Sequence, residues 1–545
     1  MARGNKLFII LTFGLFGFLY LHLAKNMLTI KPDGWYVGHI NLYGDLVFHL
    51  TLINKFQATG QLNIDNPIFS GAKVGYPILA DLITAKIANS TSINFALFIT
   101  TFLAGLLGIY VARLFIKNFI RNEKTIFLTL LLFFINGGLG FYYFFQDLFF
   151  SQKPLGQFLL SMPREYTDIK ENGYWWINTY LAYFLPQRPF LFAFPITLII
   201  LILLYKGLEK SKRKYFILAG FLTGVLPLVQ VHSLFLIFLI SAMLCPLTIL
   251  KKKLRNNLVK NWLVFALITT LLAIPILNTI SEPQSLFRYI RLQPGWTSNE
   301  NIIWFWFKNL GLFGPALIAS VIWIYRKNRD LFYMYLPFLG VFVLSNIYIF
   351  QPWDFDNSKL LIYWFFASCI LVAYFLVDEF FSENYFKKTI GTIIVSLMIF
   401  SGALDLIRTF TPQTNYKIFS NSQLEVAEIV KRNTAQDAVF LTASNHNHPI
   451  PALAGRSTLV GFEGWLWSHG TDFTDREIGA RTIYLGGNEA ESKIRQYRIN
   501  YVTIGPLERV QFSINDSYFE KYSSQILAPE WHLYDVSSIW TNDNR

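Results

Sequence analysis

Charged residues and cysteines are scarce in this 545-residue sequence. Charged side chains account for 15% of the residues, whereas soluble proteins carry about 25%. The two cysteines, Cys245 and Cys369, both lie in apolar segments and supply neither a disulfide framework nor a metal-binding spacing. Apolar residues make up 53% of the chain, and the mean hydropathy is +0.38. Because too few polar side chains remain to cover a soluble fold of this size, the composition predicts an α-helical polytopic membrane protein.

Apolar stretches long enough to cross a membrane recur along the first 410 residues. About 18 apolar residues suffice for one crossing, and by this test the sequence predicts about eleven spans. The first is expected to stay as an anchor, because His22–Lys25 offers no small-residue cleavage site. The predicted spans lie near residues 7–24, 93–116, 125–145, 188–205, 215–228, 232–250, 261–280, 302–325, 331–350, 360–379 and 389–407.

The net charge of +13 comes from lysines and arginines in short connections between the apolar stretches. No basic stripe with interleaved aromatics is present, so nucleic-acid binding is not supported. Basic connections face the cytoplasm, which predicts a cytoplasmic N-terminus and an outward-facing site. The basic connections are 117–124, 206–214, 251–260, 326–329 and 387–388, and the predicted outer loops are 25–92, 146–187, 281–301 and 351–359.

The sequence becomes less apolar after residue 410 and predicts a soluble α/β domain outside the membrane. Helical spacing of apolar residues indicates a helix in Gln423–Arg432, and Glu491–Arg498 has the same character. Ala438–Thr442 and Tyr501–Ile504 are predicted strands. The predicted division is a transmembrane domain of residues 1–410 and an outer domain of residues 411–545.

Asp45 and His49 are the most informative polar residues of the first outer loop. They are four residues apart, so on a helix they share a face. A carboxylate and an imidazole placed together can deprotonate an acceptor hydroxyl or bind a divalent cation. The alternative is that Asp45 caps a surface helix and His49 packs at the membrane interface.

Three further polar residues stand at the ends of predicted spans. Arg188, between Pro186 and Pro189, suits a phosphate at the interface, and its alternative is contact with lipid headgroups. Gln230 and His232 stand at the break between spans 215–228 and 232–250, where Gly224 and Pro227 also interrupt the helix. Interrupted spans and a histidine at membrane depth are typical of functional sites.

Asp354, Asp356 and Lys359 form a compact charged group before the span at 360–379. Either carboxylate can bind a cation, and the lysine can neutralise a phosphate. The alternative is a helix-capping cluster. In the outer domain, His446 and His448 have the spacing of metal ligands but no companion cysteines, while Trp465 and its neighbours predict a sugar- or lipid-facing surface or a docking turn.

Together these features resemble the GT-C superfamily of integral-membrane glycosyltransferases. The resemblance covers the layout of most of the chain, and the acid in the first outer loop is its most specific feature. The chain also resembles the superfamily in four short segments, Tyr43–His49, Gly75–Pro77, Pro186–Pro189 and Gln230–His232. The segments Trp465–Gly470 and Gly505–Arg509 look like outer domains of uncharacterised prokaryotic relatives of the protein mannosyltransferases.

The resemblance implies transfer of a sugar from a polyprenyl-phosphate donor to a lipid, glycan or protein acceptor at the outer membrane face, with inversion. Asp45 would act as the base on the acceptor hydroxyl, and His49 would orient a substrate beside it. The donor would be bound by a second set of residues, comprising Arg188, Gln230, His232, Asp354, Asp356 and Lys359, with Arg188 and Lys359 on the departing phosphate.

Many members of the superfamily carry two adjacent acids in the first loop, but here Asp45 is followed by Leu46. A divalent cation, Mg²⁺ or Mn²⁺, therefore stays open, with Asp45, Asp354 and Asp356 as candidate ligands. Two other functions stay open as well. One is a transporter or flippase for a lipid-linked sugar, and the other is a catalytically inactive relative that acts in assembly.

Overall fold

The computed structural model describes residues 2–62, 64–251, 255–280, 289–381 and 384–541. The predicted connection at 251–260 and the predicted loop at 281–301 therefore lie partly outside the described residues. The chain forms two compact units. Unit 1 comprises residues 1–24, 101–276 and 287–414, and unit 2 comprises residues 25–100, 277–286 and 415–545.

Helices dominate the chain and are numbered along it. They are α1 (Ala2–Lys25), α2 (Ile40–Thr59), α3 (Leu79–Ala88), α4 (Ile93–Lys117), α5 (Glu123–Phe134), α6 (Phe141–Ser151), α7 (Leu155–Leu159), α8 (Arg188–Lys210), α9 (Arg213–Val225), α10 (Val231–Lys251), α11 (Arg255–Ile280), α12 (Ile302–Leu310), α13 (Phe313–Lys327), α14 (Arg329–Ser345), α15 (Ser358–Glu379), α16 (Tyr385–Arg408), α17 (Asn421–Asn433), α18 (Pro449–Ala452), α19 (Glu463–Ser468), α20 (Thr474–Leu485), α21 (Asn488–Tyr497), α22 (Pro506–Gln511), α23 (Asp516–Phe519) and α24 (Ser538–Thr541).

The strands are short and are numbered in the same way. They are β1 (Thr29–Lys31), β2 (Gly34–Val37), β3 (Arg291–Leu292), β4 (Tyr348–Ile349), β5 (Tyr416–Ser420), β6 (Val439–Leu441), β7 (Ser457–Thr458), β8 (Tyr501–Ile504), β9 (Ser523–Ala528) and β10 (Trp531–Asp535). In unit 1, β3 pairs antiparallel with β4.

Seven helices in the described part of the chain are long and apolar enough to cross a membrane. The bent pair α12 and α13 makes an eighth if it counts as one span. The predicted multi-pass, α-helical membrane protein with a small α/β region is therefore confirmed. The seven are Asn5–Lys25, Ile93–Lys117, Arg188–Lys210, Val231–Ile249, Asn257–Ile280, Asp354–Glu379 and Tyr385–Arg408.

Other predicted spans fall on shorter helices because backbone breaks interrupt them. The stretch 125–145 becomes α5 and α6, separated at a glycine-rich turn where a Cβ on Gly140 would lie 1.7 Å from the Tyr166 carbonyl oxygen. The stretch 302–325 bends by 97° between α12 and α13, next to Gly311, whose φ is +57°. A short 3-10 turn, Leu226–Leu228, separates α9 from α10, which confirms the predicted break near Pro227.

Unit 2 contains a five-stranded mixed sheet with the strand order β7-β6-β8-β10-β9. Strand β6 is parallel to β7 and β8, and β10 is antiparallel to β8 and β9. The predicted strands at Ala438–Thr442 and Tyr501–Ile504 are confirmed as β6 and β8. The two predicted helices are confirmed as α17 and α21, and a capping box between Ser420 and Gln423 starts α17.

A second sheet of unit 2 joins two segments that are far apart in sequence. Strand β2 pairs antiparallel with both β1 and β5. Close approach requires glycine at position 34, because a Cβ there would lie 2.1 Å from the Phe419 carbonyl oxygen and φ is +145°. Residues 29–37 are thereby tied to the start of the C-terminal segment of unit 2.

Helix α2 follows β2 and packs on the five-stranded sheet. His39 caps its start by accepting the N–H of Asn41, and Gly60, with φ +65°, ends it by donating its N–H to the Phe56 carbonyl. The Asn54 amide donates to the carbonyl of Ala452 at 2.8 Å, which holds the helix against the segment before β7. The predicted helical pairing of Asp45 with His49 therefore lies on a well-capped helix of 20 residues.

Candidate functional site

One candidate region lies in unit 2, on the N-terminal half of α2. Asp45 is half-buried there, and His49 lies one turn further along the helix. This half of α2 contacts the loops that follow β6 and β7, at the carboxyl ends of the parallel strands. Ligands of α/β sheets bind preferentially at that edge, so Asp45 occupies a favourable position for a reacting group.

Tyr43 and Phe48, on either side of Asp45 in α2, belong to an aromatic cluster with side chains from the segment before α3 and from the segments after β6 and β7. Its members are Tyr43, Phe48, Tyr76, His446, Phe462, Trp465 and His469. The Phe48 ring centroid lies 5.2 Å from that of Trp465 and 5.1 Å from that of His469. Burial lowers the pKa of His446 below its ordinary value of 6.5, so this ring is neutral at pH 7. The cluster combines flat apolar faces with imidazole nitrogens, which suits a sugar ring or another partly polar substrate.

His49 is oriented by a carboxylate that the sequence analysis did not select. Its Nδ1 lies 2.9 Å from the Asp81 Oδ2, and both side chains are buried. A carboxylate on one imidazole nitrogen fixes the tautomer and leaves the lone pair on the other nitrogen. The packing alternative for His49 at the membrane interface is therefore replaced by a buried Asp–His pair.

A second buried acid–imidazole pair supports the same edge of the sheet. His448 Nε2 lies 2.8 Å from Glu508 Oε1, and neither side chain is exposed. The Ile450 N–H approaches His448 Nδ1, so the ring proton is on Nε2 and is donated to Glu508. Burial acts to raise the pKa of Glu508, but His448 and backbone N–H donors outweigh it and leave the pKa below its usual range. His448 thus pairs with Glu508, whereas the His446 ring meets the Tyr43 ring edge to face.

A separate candidate region lies in unit 1, where α15 begins. Lys359 Nζ lies 3.0 Å from Asp356 Oδ2, and both side chains are largely buried. His232, at the start of α10, lies within electrostatic range of both and hydrogen-bonds the Gln351 side chain. The structure therefore brings three predicted residues, His232, Asp356 and Lys359, into one polar cluster, called here the α15 cluster together with Gln351.

Gln230 and Asp354 have mainly local partners. Gln230 Oε1 accepts a hydrogen bond of 2.5 Å from Ser233, and Ser233 is in turn 2.8 Å from the Tyr363 hydroxyl. Asp354 Oδ1 accepts the N–H of the adjacent Phe355, and neither this turn nor α15 has a side-chain capping bond.

Arg188 begins α8 and is fully buried. Its Nη1 donates to the Thr101 hydroxyl at 3.2 Å. The alternative of a side chain extending to lipid headgroups is excluded by this burial. Because the Arg188 guanidinium is buried, it can act on a phosphate only from within the protein interior.

The described residues do not fit a divalent cation on their own. No group of three His, Cys, Asp or Glu side chains in that part of the chain is placed to hold a metal ion. Asp356 is paired with Lys359, and Asp354 binds a backbone N–H. No reaction step is therefore derived through a metal.

The sequence contained signals for some of the missed residues. Asp81 is the one acid in an otherwise apolar helical segment, Leu79–Ala88, and a buried acid needs a partner. Glu508 stands three residues after Gly505 at a helix start, the spacing of a capping box. Nothing local in the sequence indicates that Tyr76 and His469 meet in one cluster.

Comparisons with known proteins give a fold but no sequence relative. No protein-family model matches the chain, and no curated protein is similar to it in sequence. The structure is similar to ArnT from Cupriavidus metallidurans in the apo state, at 10% identity and a TM-score of 0.53, over 99% of both chains. It is also similar to the Archaeoglobus fulgidus oligosaccharyltransferase tethered to an acceptor peptide, at 10% identity and a TM-score of 0.50, over 91% of this chain and 69% of that one. The chain therefore shares the fold of these two proteins, in agreement with the resemblance found in the sequence.

Proposed function

We propose that this protein is a membrane glycosyltransferase that moves a sugar from a polyprenyl-phosphate donor to an acceptor hydroxyl at the outer membrane face. One observation carries the proposal: Asp45 lies on α2 beside the aromatic cluster, at the ligand-binding edge of the sheet. The fold supports it, because ArnT and the archaeal oligosaccharyltransferase share that fold, although fold alone does not define activity.

The reaction is a single displacement at the anomeric carbon. The acceptor oxygen forms the new bond as the bond to the donor phosphate oxygen breaks, so the configuration inverts. The acceptor proton passes to the Asp45 carboxylate, and the polyprenyl phosphate leaves with the bonding electrons. His49, fixed by Asp81, orients the substrate beside Asp45 as a positioning residue.

The departing phosphate gains negative charge and requires a cation near it. Lys359 is the proposed partner, with Asp356 holding its ammonium in position before the donor arrives. Arg188 is proposed to add positive potential from within the protein. His232 and Gln230 complete the donor side as positioning residues of the α15 cluster, and Asp354 fixes the turn before α15.

The test offers purified full-length protein a panel of radiolabelled polyprenyl-phosphate sugars together with lipid, glycan and peptide acceptors. Asp45→Asn is expected to lower turnover by about 10²- to 10⁴-fold, the usual contribution of a general base. Asp33→Asn is the matched control, because Asp33 is an exposed carboxylate of the same outer segment. Parallel reactions with EDTA, Mg²⁺ or Mn²⁺ address the divalent-cation hypothesis directly.

Two results would overturn the proposal. Donor binding without turnover, accompanied by movement of the lipid across proteoliposomes, would identify a flippase. Binding without either transfer or movement would identify an inactive relative. Full turnover in Asp45→Asn would remove Asp45 from the mechanism while leaving the transferase activity itself in place.

A further inference from the structure

A polar cleft of about 620 Å³ opens in unit 2, at the edge of the sheet opposite to Asp45. It lies between the C-terminal end of α2, residues 61, 64, 65, 70 and 71, and the beginnings of β6 and β7. Lys55 and Ser457 form its deep end, and Asp65 and Asp437 belong to its rim. Its volume falls within the range of small-molecule sites, about 300–1,000 Å³.

Lys55 is an unusual residue for the base of an open cleft. It is only 4% exposed, and its Nζ donates to the Ser457 hydroxyl at 2.9 Å. In the described part of the chain this is the single hydrogen bond of an ammonium that has three N–H donors. Burial lowers the pKa of Lys55 below its ordinary value, and the charges of Asp65 and Asp437 act in the opposite direction. Its remaining donors therefore lie where a ligand in the cleft can reach them.

The rim supplies acceptors as well as donors. The carboxylates of Asp65 and Asp437 are exposed, and neither makes a hydrogen bond or ion pair within the described residues. Gln61 and Gln436 add two amide side chains, each with both a donor and an acceptor. The cleft thus combines one deep cation with two carboxylates and several neutral groups.

The wall formed by residues 66–71 is held rigidly. The Thr458 N–H donates to the Pro67 carbonyl at 2.9 Å, and the Ser70 N–H donates to the Thr458 carbonyl at 3.0 Å. Arg476 donates to the Ser70 carbonyl at 2.8 Å and stacks over the Phe69 ring. A cleft with such a wall is already formed before a ligand binds, which lowers the entropy cost of binding.

We propose that this cleft binds a neutral carbohydrate. The two exposed carboxylates repel an anion such as phosphate, and the positive charges of Lys55 and the nearby Arg456 offset these carboxylates, so the cleft favours a ligand without net charge. A sugar hydroxyl both donates and accepts, so neighbouring hydroxyls pair with Lys55 and with Asp437 or Asp65 without placing a net charge in the cleft. The site is distinct from the Asp45 face and does not depend on the proposed transfer reaction.

The test measures saturation-transfer NMR signals from cellobiose, mannobiose, lactose and chitobiose with the full-length protein in a detergent that has no sugar headgroup. At least one disaccharide is expected to bind saturably. Asp437→Asn removes charge-assisted hydrogen bonds and is expected to weaken binding by about tenfold or more. Lys55→Met is expected to abolish disaccharide binding. If Lys55→Met misfolds, substitutions of the exposed Asp437 and Asp65 test the site instead.

Two controls separate this site from the rest of the protein. Glu489→Gln changes an exposed carboxylate of α21 that lies outside the cleft, so binding is expected to stay unchanged. Asp45→Asn is expected to bind the disaccharide normally even if it transfers nothing. The proposal is overturned by absence of saturable binding for all four sugars, by equal affinity in Asp437→Asn, or by competition from millimolar inorganic phosphate.

Discussion

Replacing Glu508 by alanine tests whether the carboxyl edge of the sheet depends on one buried carboxylate. Glu508 Oε1 accepts from His448 Nε2 at 2.8 Å and from the Ala443 N–H at 2.9 Å. Its Oε2 accepts from the Gly505 N–H at 2.9 Å. The side chain therefore connects the loop after β6 with the start of α22.

The expected loss of stability follows from the hydrogen-bond donors that have no acceptor once alanine replaces Glu508. Three buried donors, on His448, Ala443 and Gly505, lose their acceptor, and each unsatisfied donor costs about 1–3 kcal/mol. Breaking a buried pair by removing one partner costs about 3–5 kcal/mol in total, and we adopt that range for the loss in stability of unit 2. It corresponds to an increase of roughly 10²- to 10⁴-fold in the population of opened molecules.

Hydrogen exchange of the full-length protein, followed by mass spectrometry, measures this opening locally. Amides of β8 are expected to exchange about 10²- to 10⁴-fold faster in Glu508→Ala than in the wild type. Glu489→Ala removes an exposed carboxylate and is expected to change exchange by less than about threefold. An equally small change in Glu508→Ala would refute the argument that Glu508 holds this edge together.

The pH dependence of stability gives a second test of the role of Glu508. The folded pKa of Glu508 is depressed, so its charge contributes stability above the unfolded pKa of about 4.3. That contribution is lost as the pH falls through the folded pKa. The difference in exchange between the wild type and Glu508→Gln is therefore expected to stay constant from about pH 8 to pH 5 and to shrink below about pH 4.

Two further substitutions give predictions in unit 1. Burial raises the pKa of Asp168 from 3.8 to about 6, so its charge destabilises the folded protein above that pH and has no effect below about pH 4. Asp168→Asn should therefore stabilise the protein at pH 7 by up to about 3 kcal/mol. An equal gain at pH 4, measured by thermal unfolding, would contradict this prediction. Asp356→Asn removes the ion-pair partner of the Lys359 ammonium and should tighten binding of polyprenyl phosphate by about two- to fivefold. Titration with polyprenyl phosphate measures this change. An unchanged Kd would remove Lys359 from the proposed phosphate site.

Elements with a local signature were predictable from the sequence. Long apolar runs identified the spans that became α4, α8, α15 and α16, because a membrane crossing requires continuous apolar length. The helix at Gln423–Arg432 and the strand Tyr501–Ile504 were also predictable from their apolar patterns.

Elements that depend on distant partners were not predictable. Strands β2 and β5 have four and five residues, and they pair across more than 370 positions of sequence, so neither run carries a strong signal. Asp81 and His49 meet through the packing of α2 against α3. Arg188 was expected at the interface, but tertiary packing buries it fully, which hydropathy alone does not reveal.

Helix α2 has consequences for how the chain can change in length. Asp45 and Lys55 lie on this one helix, about 15 Å apart along its axis. Each residue turns an α-helix by about 100°, so inserting or deleting one residue between them rotates one end against the other by that angle. Either Asp45 would leave the aromatic cluster or Lys55 would leave Ser457. Homologous sequences that keep both features are therefore expected to vary here by substitution alone, with no gain or loss of residues between these positions.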